Sequence, residues 1–250
     1  MKTFLYLVCI LLVIWLLLPI LYLFTQIHNL TIQLSSSTIS AYVNTIITAS
    51  IASGVSILIA LPISLLSILY PTTLFILTVK KLPGLLLTIP DIVLGIMLLL
   101  VYGQNGIISF FFGNIVINTY LGIIIAQLYV TVPYSILILT TCFTNMDKEL
   151  VESAYALGAT EFQVIKNIYI KLNVIHFLRV FVLNIANSFA VFGTLVVVAY
   201  YPKVMTTEIF EAFQLFEYNK AFSLALLLTI TALLLFIISS LIEEWYANRN

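Results

Sequence analysis

The chain has 250 residues, of which 62% are hydrophobic and 8% are charged, and its formal net charge is zero. Soluble domains carry about 25% charged residues, so this composition excludes a water-soluble fold and predicts a protein whose solvent is the lipid bilayer. The charge balance also excludes the basic surface of a nucleic-acid-binding protein. We therefore expect an all-α integral membrane protein that binds no nucleic acid.

Six long apolar runs predict six transmembrane helices. They cover residues 4–24, 42–69, 85–102, 119–143, 175–200 and 221–242. A cleaved signal peptide is the rival interpretation of the first run, but its apolar core is too long and no small-residue cleavage site follows. Residues 70–79 fit either a bent extension of the second span or an interfacial loop.

Polar residues inside the spans mark positions that face another helix or a wet path rather than lipid. Hydroxyl groups between Thr45 and Ser56 in the second span favour close helix packing, with a wet path as the alternative. Asp91 is the only acid inside a run. It either serves transport directly, caps a helix that restarts after Pro90, or reaches a water-filled cavity without touching substrate. The fifth span carries a polar stripe that predicts a partner or a cavity. The candidate residues of a translocation path or gate are Asp91, Asn184, Asn187, Ser188 and Thr194.

Residues 146–172 form the longest water-compatible segment between apolar runs. Apolar residues with helical spacing predict a short helix at its start: Leu150, Val151, Ala154 and Leu157. Gly158 suits a helix stop with positive φ, and Thr160 followed by Glu161 suits the start of a second helix. The segment therefore predicts a helix–turn–helix elbow between the fourth and fifth spans.

The distribution of basic residues predicts which side the elbow faces. Six spans place both termini on one side, and eight basic residues fall on the elbow's side: Lys2, Lys80, Lys81, Lys148, Lys166, Lys171, Arg179 and Arg249. Only Lys203 and Lys220 fall on the other side. The positive-inside rule then predicts a multi-pass cell-membrane protein whose elbow and both termini are cytoplasmic. The chain divides into an N-terminal helix with an external connector (1–41), a transmembrane domain (42–242) and a short cytoplasmic tail (243–250).

The sequence contains no phosphate-binding loop and no nucleophile elbow. Its two cysteines and two histidines do not cluster with metal-ligand spacing. We therefore expect neither an enzyme nor a metal or cofactor in this chain, and any ATP must be hydrolysed by a separate subunit.

The elbow resembles the cytoplasmic coupling loop of ATP-binding-cassette importer permeases, whose pattern is Glu-Ala-Ala, three residues, then Gly-Ala. Here residues 152–159 read Glu-Ser-Ala-Tyr-Ala-Leu-Gly-Ala, with Ser153 for the second Ala and Lys171 where a Pro often stands. The resemblance implies an ABC ATPase subunit, an extracytoplasmic solute-binding protein and a second copy of this chain as partners. It also implies which residues couple to the ATPase, namely Leu150, Glu152, Ala154, Leu157, Gly158 and Ala159.

Further segments are similar to the oxyanion permeases: 90–108 in and after the third span, 121–134 in the fourth, and 199–213, which is most similar to the tungstate/molybdate permeases. Asp91 departs from the usual Pro or His, and Ala-Val-Phe-Gly at 190–193 replaces the usual Gly-Glu-Phe-Gly. The resemblance implies inward transport of an oxyanion, tungstate or molybdate, by a homodimer of six-span subunits. Sulfate, thiamine, polyamine, iron or phosphonate are alternative cargoes, and a membrane-embedded enzyme or assembly subunit is the remoter alternative.

Overall fold

The computed structural model describes residues 2–25 and 35–247, and within these ranges the chain forms helices and turns but no strand. The helices are α1 Lys2–Thr25, α2 Ser36–Leu69, α3 Leu74–Thr88, α4 Asp91–Tyr102, α5 Ile107–Phe112, α6 Tyr120–Thr144, α7 Lys148–Ala156, α8 Glu161–Val164, α9 Val174–Ser188, α10 Gly193–Val198, α11 Met205–Gln214 and α12 Tyr218–Ala247. A π-helical turn, Ile165–Ile170, continues α8.

Five described helical stretches are long and apolar enough to cross a membrane: Tyr6–Thr25, Ser36–Leu69, Asp91–Phe112, Tyr120–Thr144 and Tyr218–Trp245. Glu161–Ile170 and Val174–Ser188 meet at 61° and make a sixth if the bent pair counts as one span. The predicted all-α membrane fold is therefore confirmed, with five or six spans among the described residues.

Two predicted spans differ from the structure in continuity. Within the third, 85–102, α3 ends at Thr88 and α4 begins at Asp91, because Pro90 disfavours helical geometry in the residue before it. Within the fifth, 175–200, α9 ends at Ser188 and α10 begins only at Gly193. Residues 74–79, left open between extension and loop, are helical as the start of α3. The two breaks bring irregular backbone among the membrane helices, where its polar groups need partners inside the protein.

The centre of the bundle is the contact of α2 with α6 and α9. Small residues of α2 that are fully buried let these helices approach closely: Ala41, Ala49, Ala52 and Ala60. The hydroxyl groups of Thr45 and Ser53 are also buried, and they donate to the carbonyls of Ala41 and Ala49 one turn back. The hydroxyl-rich half of α2 is therefore packing surface inside this chain. The first span contrasts with it, since no residue in its most apolar window is buried.

Candidate functional site

The first helix of the elbow, α7, is closed at both ends by side-chain and backbone hydrogen bonds. Asp147 Oδ1 accepts from the Glu149 N–H at 2.9 Å, which caps the start. At the other end Gly158 has φ of 84°, its N–H donates to the Tyr155 carbonyl, and the Ala159 N–H donates to the Ala154 carbonyl. These two bonds form the glycine-terminated helix stop that the sequence predicts at Gly158.

The second helix, α8, starts from a reciprocal cap. Thr160 Oγ1 accepts from the Gln163 N–H at 3.4 Å, and Gln163 Oε1 accepts from the Thr160 N–H at 2.8 Å. The predicted start at Thr160 is confirmed. Gln163 was missed, although the spacing Thr-x-x-Gln is a recognised signal for this cap. Two capped helices joined at Gly158 give the elbow a fixed shape.

The predicted docking face of α7 is divided between two environments. Val151 and Ala154 are half-buried and pack against the chain's own core at the elbow end. Leu157 is 89% exposed and Leu150 is 43% exposed. The same surface exposes Phe162 of α8, at 70%. Of the predicted coupling residues, Leu150, Glu152, Leu157 and Gly158 are therefore accessible to another protein, whereas Ala154 and Ala159 are half-buried against this chain.

The exit from the elbow is a π-helical turn followed by the 61° bend into α9. Asn173 at the bend is 3% exposed, and its Nδ2 donates to the Tyr169 carbonyl at 2.9 Å and contacts Met146 Sδ at 3.0 Å. It therefore links the end of the elbow to its beginning. A π-helical turn and a buried amide bend the helix at the place where a proline is usual in the resembled loop. Asn173 has no recognisable signal in the sequence, because only tertiary contacts distinguish it from a surface asparagine.

Further contacts fix the elbow to the membrane helices. The ring of Phe143, at the end of α6, meets Tyr169 and Phe177 edge to face, with centroids 5.6 and 6.3 Å apart. Beyond the end of α2, Tyr70 Oη donates to Glu161 Oε1 at 2.9 Å. A displacement of the elbow would therefore reach α2, α6 and α9 directly.

Asp91 joins the two interrupted spans. Its Oδ2 accepts from the Phe192 N–H at 3.0 Å and from the Gly193 N–H, and Thr194 Oγ1 donates to both its carboxylate and its carbonyl. The carboxylate thus caps the start of α10, whereas α4, the helix that restarts after Pro90, has no side-chain cap. The helices touch closely there: a Cβ on Gly95 would lie 2.9 Å from Thr194 Cα, and one on Gly193 2.8 Å from the Ile92 nitrogen. Of the candidate path residues, Asp91 and Thr194 therefore lie together and bind each other.

Asn184 and Ser188 form a second, separate group at the centre of the bundle. Asn184 is fully buried, and its Nδ2 donates to Ser56 Oγ at 2.9 Å and to Ser135 Oγ at 2.7 Å. Ser188 Oγ donates to the Asn184 carbonyl. Asn187 is only half-buried. The polar stripe of the fifth span therefore joins α9 to α2 and α6 within one chain, and only Asn187 keeps partial access to a cavity or partner.

Asn184→Ala is expected to destabilise the fold without changing the rate of transport by the folded protein. Interhelical hydrogen bonds in membranes contribute about 0.6–2 kcal/mol, and a cavity adds to the loss, so the free energy of unfolding should fall by about 2 kcal/mol. Thermal unfolding in detergent measures the first effect, and uptake normalised to folded protein measures the second. A large change in normalised uptake would instead place Asn184 in the path.

A charge cluster lies at the end of the bundle opposite the elbow. Glu208 is 1% exposed and contacts Lys220 at 3.0 Å and Lys203 at 3.3 Å. Glu211 contacts Lys203, and Glu217 lies 3.8 Å from Lys220. Burial would raise the pKa of Glu208, but the two lysines outweigh it and lower that pKa below its ordinary 4.5. Burial opposes the charge on Lys203 as well, yet Glu211 and Glu208 raise the pKa of Lys203 to about 12.

The stability of this end should therefore depend on pH in the acid range. Because the folded pKa of Glu208 lies below 4.5, its contribution is complete above that pH and disappears as the pH falls through the folded value. Glu208→Gln should lower the free energy of unfolding at pH 7 by about 1–3 kcal/mol, since it leaves buried lysine contacts incomplete. The variant should also lose less free energy of unfolding than the original protein as the pH is lowered, when both are measured between pH 3 and pH 8. Equal losses by both proteins would contradict the assignment to Glu208.

The family described as binding-protein-dependent transport system inner membrane component matches residues 84–250. Among known proteins, a sulfate transport system permease protein from Synechocystis is 25% identical over 170 residues, covering 64% of this chain and 59% of that protein. A molybdate/tungstate transport system permease protein from Methanocaldococcus jannaschii is 25% identical over 221 residues, covering 86% and 87%. The counterpart from Thermococcus kodakarensis is 24% identical over 221 residues, covering 85% and 80%.

Solved structures share the fold. A bacterial ABC transporter involved in the import of the acidic polysaccharide alginate superposes with a TM-score of 0.71 at 18% identity, covering 96% of this chain and 94% of that chain. The alginate transporter in complex with its pentasaccharide-bound periplasmic protein gives 0.68 at 19% identity, covering 95% and 93%. The family match extends over about two thirds of the chain, from α3 through the elbow to the last residue. The chain therefore belongs to the family of inner membrane components of binding-protein-dependent transport systems.

Proposed function

We propose that this chain is the permease subunit of an ABC importer that carries a tetrahedral oxyanion inward. Energy would come from a separate ATPase subunit that docks on the elbow, and cargo from an extracytoplasmic solute-binding protein. The observation that carries the proposal is the elbow itself. It consists of two capped helices, with exposed apolar side chains at one end and direct contacts to three membrane helices at the other.

The mechanism follows from this geometry. Two elbows, one from each of two copies, would move when the ATPase subunits close on ATP. The aromatic contacts at Phe143 and the buried amide of Asn173 would carry that movement into α6 and α9. A path between the copies would then open alternately to each side, which requires an element with two discrete arrangements. The chain itself would bind no ATP.

Molybdate or tungstate is the proposed cargo, with sulfate as the second candidate. Relatives named for molybdate/tungstate transport align over most of their own length, and this supports the first. The match to a sulfate permease supports the second. The carboxylate of Asp91 is consistent with both, because its oxygens accept hydrogen bonds from backbone amides and from Thr194. The dipoles of these donors offset part of the negative charge that a passing dianion would meet.

The test is co-purification and uptake in cells that produce the complete importer. A tagged chain should retain an ATPase subunit, and the cells should accumulate radiolabelled molybdate or tungstate in competition with sulfate. Failure to accumulate any of the three oxyanions, with the ATPase retained, would reject the cargo and keep the permease assignment. Absence of any nucleotide-hydrolysing partner would reject both.

Leu157→Asp should separate the docking role from folding. Leu157 is 89% exposed, so a charge there should leave the free energy of unfolding nearly unchanged. A charge in an apolar docking contact should weaken ATPase retention on the order of tenfold or more. Leu215→Asp is the matched control, since Leu215 is 61% exposed at the opposite end of the bundle. Equal ATPase retention by the two variants would remove the elbow from the interface.

A further inference from the structure

A cavity of about 340 Å³ lies at the joint between the elbow and the membrane helices. Its walls come from the end of α2, from α3, from the end of α6 and from α7. Lys80 of α3 and Lys148 of α7 line it from two sides, together with Glu152 and Tyr169. We call it the lysine pocket. Its volume exceeds that of a tetrahedral oxyanion several times, so an ion could enter with part of its hydration.

The lining of the lysine pocket carries a net positive charge. Among the residues that the structure describes, neither Lys80 nor Lys148 takes part in an ion pair. Glu152 is the single acid in the lining, so the formal charge of the lining is +1. Lys148 is also the first residue of α7. A cation at a helix N-terminus is electrostatically unfavourable, and the Asp147 carboxylate that caps α7 offsets part of this cost.

Other basic sites in the described chain differ in this respect. The larger cavity of about 670 Å³ at the same end is lined by Arg179, but also by Glu243 and Asp147. There the Arg179 guanidinium already donates to Glu243 at 2.6 Å. Lys203 and Lys220, at the opposite end, are surrounded by three glutamates. The lysine pocket is therefore a partly open cavity lined by two lysines that form no ion pair among the described residues.

We propose that the lysine pocket binds a phosphate-like oxyanion. Lysines from two separate helices in one lining suit such an ion, because charge-assisted hydrogen bonds to phosphate-type oxygens are among the strong ones. The phosphate of an anionic lipid at the membrane surface and a free tetrahedral oxyanion in solution offer this same chemistry. Either would bridge α3 to α7. If the chain is the proposed permease, the bridge would restrain the elbow and slow transport.

The site can be tested on the intact importer without measuring transport. Nanodiscs of phosphatidylcholine alone are treated with an amine-acylating reagent in potassium phosphate or in potassium chloride of equal ionic strength. A third sample contains equal parts of phosphatidylcholine and phosphatidylglycerol, in chloride. Peptide mass spectrometry then gives the acylation rate of each lysine. Lys81 and Lys166 are exposed lysines outside the pocket lining, and they serve as internal controls.

A bound oxyanion should slow acylation of Lys80 and Lys148 on the order of threefold or more, relative to the controls. If phosphate slows acylation of the two lysines in phosphatidylcholine nanodiscs, the ligand is a free oxyanion. If acylation is slowed only in nanodiscs that contain phosphatidylglycerol, the ligand is a lipid headgroup. Lys80→Gln should abolish the protection of Lys148, whereas Lys81→Gln should preserve it. The proposal is overturned if neither anion protects the pair, or if Lys81 and Lys166 are protected equally. Because the readout is chemical modification, loss of uptake in a separate assay would bear on the permease assignment alone.

Discussion

Replacing Gly158 with valine is expected to reduce ATP-driven uptake on the order of tenfold or more, with membrane insertion and global stability retained. Gly158 has φ of 84°, and a Cβ placed on it would meet no atom within 4 Å. The added Cβ therefore meets no neighbouring atom, and the substitution acts through the backbone. A residue with a side chain in the left-handed conformation costs about 1–2 kcal/mol relative to glycine. That strain should shift the angle between α7 and α8. Uptake and ATP hydrolysis by the same preparation measure the loss of coupling.

Gly113→Val is the matched control. Gly113 also has positive φ, 73°, and also has open space around a Cβ, but it lies in the loop between α5 and α6. Its ψ of −175° puts Gly113 in a region that is essentially confined to glycine, so valine there should suffer at least as much backbone strain and still leave uptake nearly unchanged. If both variants lost uptake equally, the effect would come from general strain and the lever role of the elbow would be refuted. Normal uptake by Gly158→Val would refute it as well.

Asp91→Ala is expected to have the largest effect on stability. The carboxylate accepts from two backbone N–H groups at the start of α10 and from the Thr194 hydroxyl. Alanine would leave these exposed or part-buried donors without an acceptor where the two interrupted spans meet. Each donor without a partner costs about 1–3 kcal/mol where water cannot replace the acceptor, and water is scarce at membrane depth. We expect the free energy of unfolding to fall by about 3–5 kcal/mol, measured by thermal unfolding in detergent.

Two further variants test how much each hydrogen bond at Asp91 contributes to stability. Asp91→Asn keeps one oxygen acceptor and should recover part of the lost stability, whereas Thr194→Val removes a single donor and should cost about 1 kcal/mol. A path residue would behave differently: Asp91→Asn would change the uptake rate of the folded protein while leaving its unfolding temperature intact. That pattern would contradict the capping role.

How far the sequence predicted the structure depended on whether the determining contacts are local. Gly158 and Thr160 predict the elbow, because a helix stop at a glycine with positive φ and a threonine N-cap both act within one turn of the chain. The apolar runs likewise reveal the spans, since lipid requires about 20 apolar residues. The break in the third span was signalled by Pro90, yet the run was predicted as continuous because its hydropathy does not change there.

The contacts that define the candidate path are not local. Asp91 binds residues about 100 positions away, and Asn184 binds Ser56, 128 positions away. No periodicity in the sequence reports such pairs, so the polar residues inside the spans could be recognised as important but not assigned partners. The residues of α7 that are free to dock another protein could not be predicted for the same reason. Helical spacing grouped Val151 with Leu157, and only the position of the core determines that Val151 faces inward.

The join at Asp91 has a consequence for movement. The Asp91 carboxylate accepts from the start of α10, and Ile92 packs closely against Gly193. The helices α4 and α10, which are the later parts of the two interrupted spans, are therefore held together without a covalent bond. They cannot swing separately about their own breaks. A gate built from α4 and α10 would have to rotate as one rigid body. The backbone would bend at Pro90 and at residues 189–192 together.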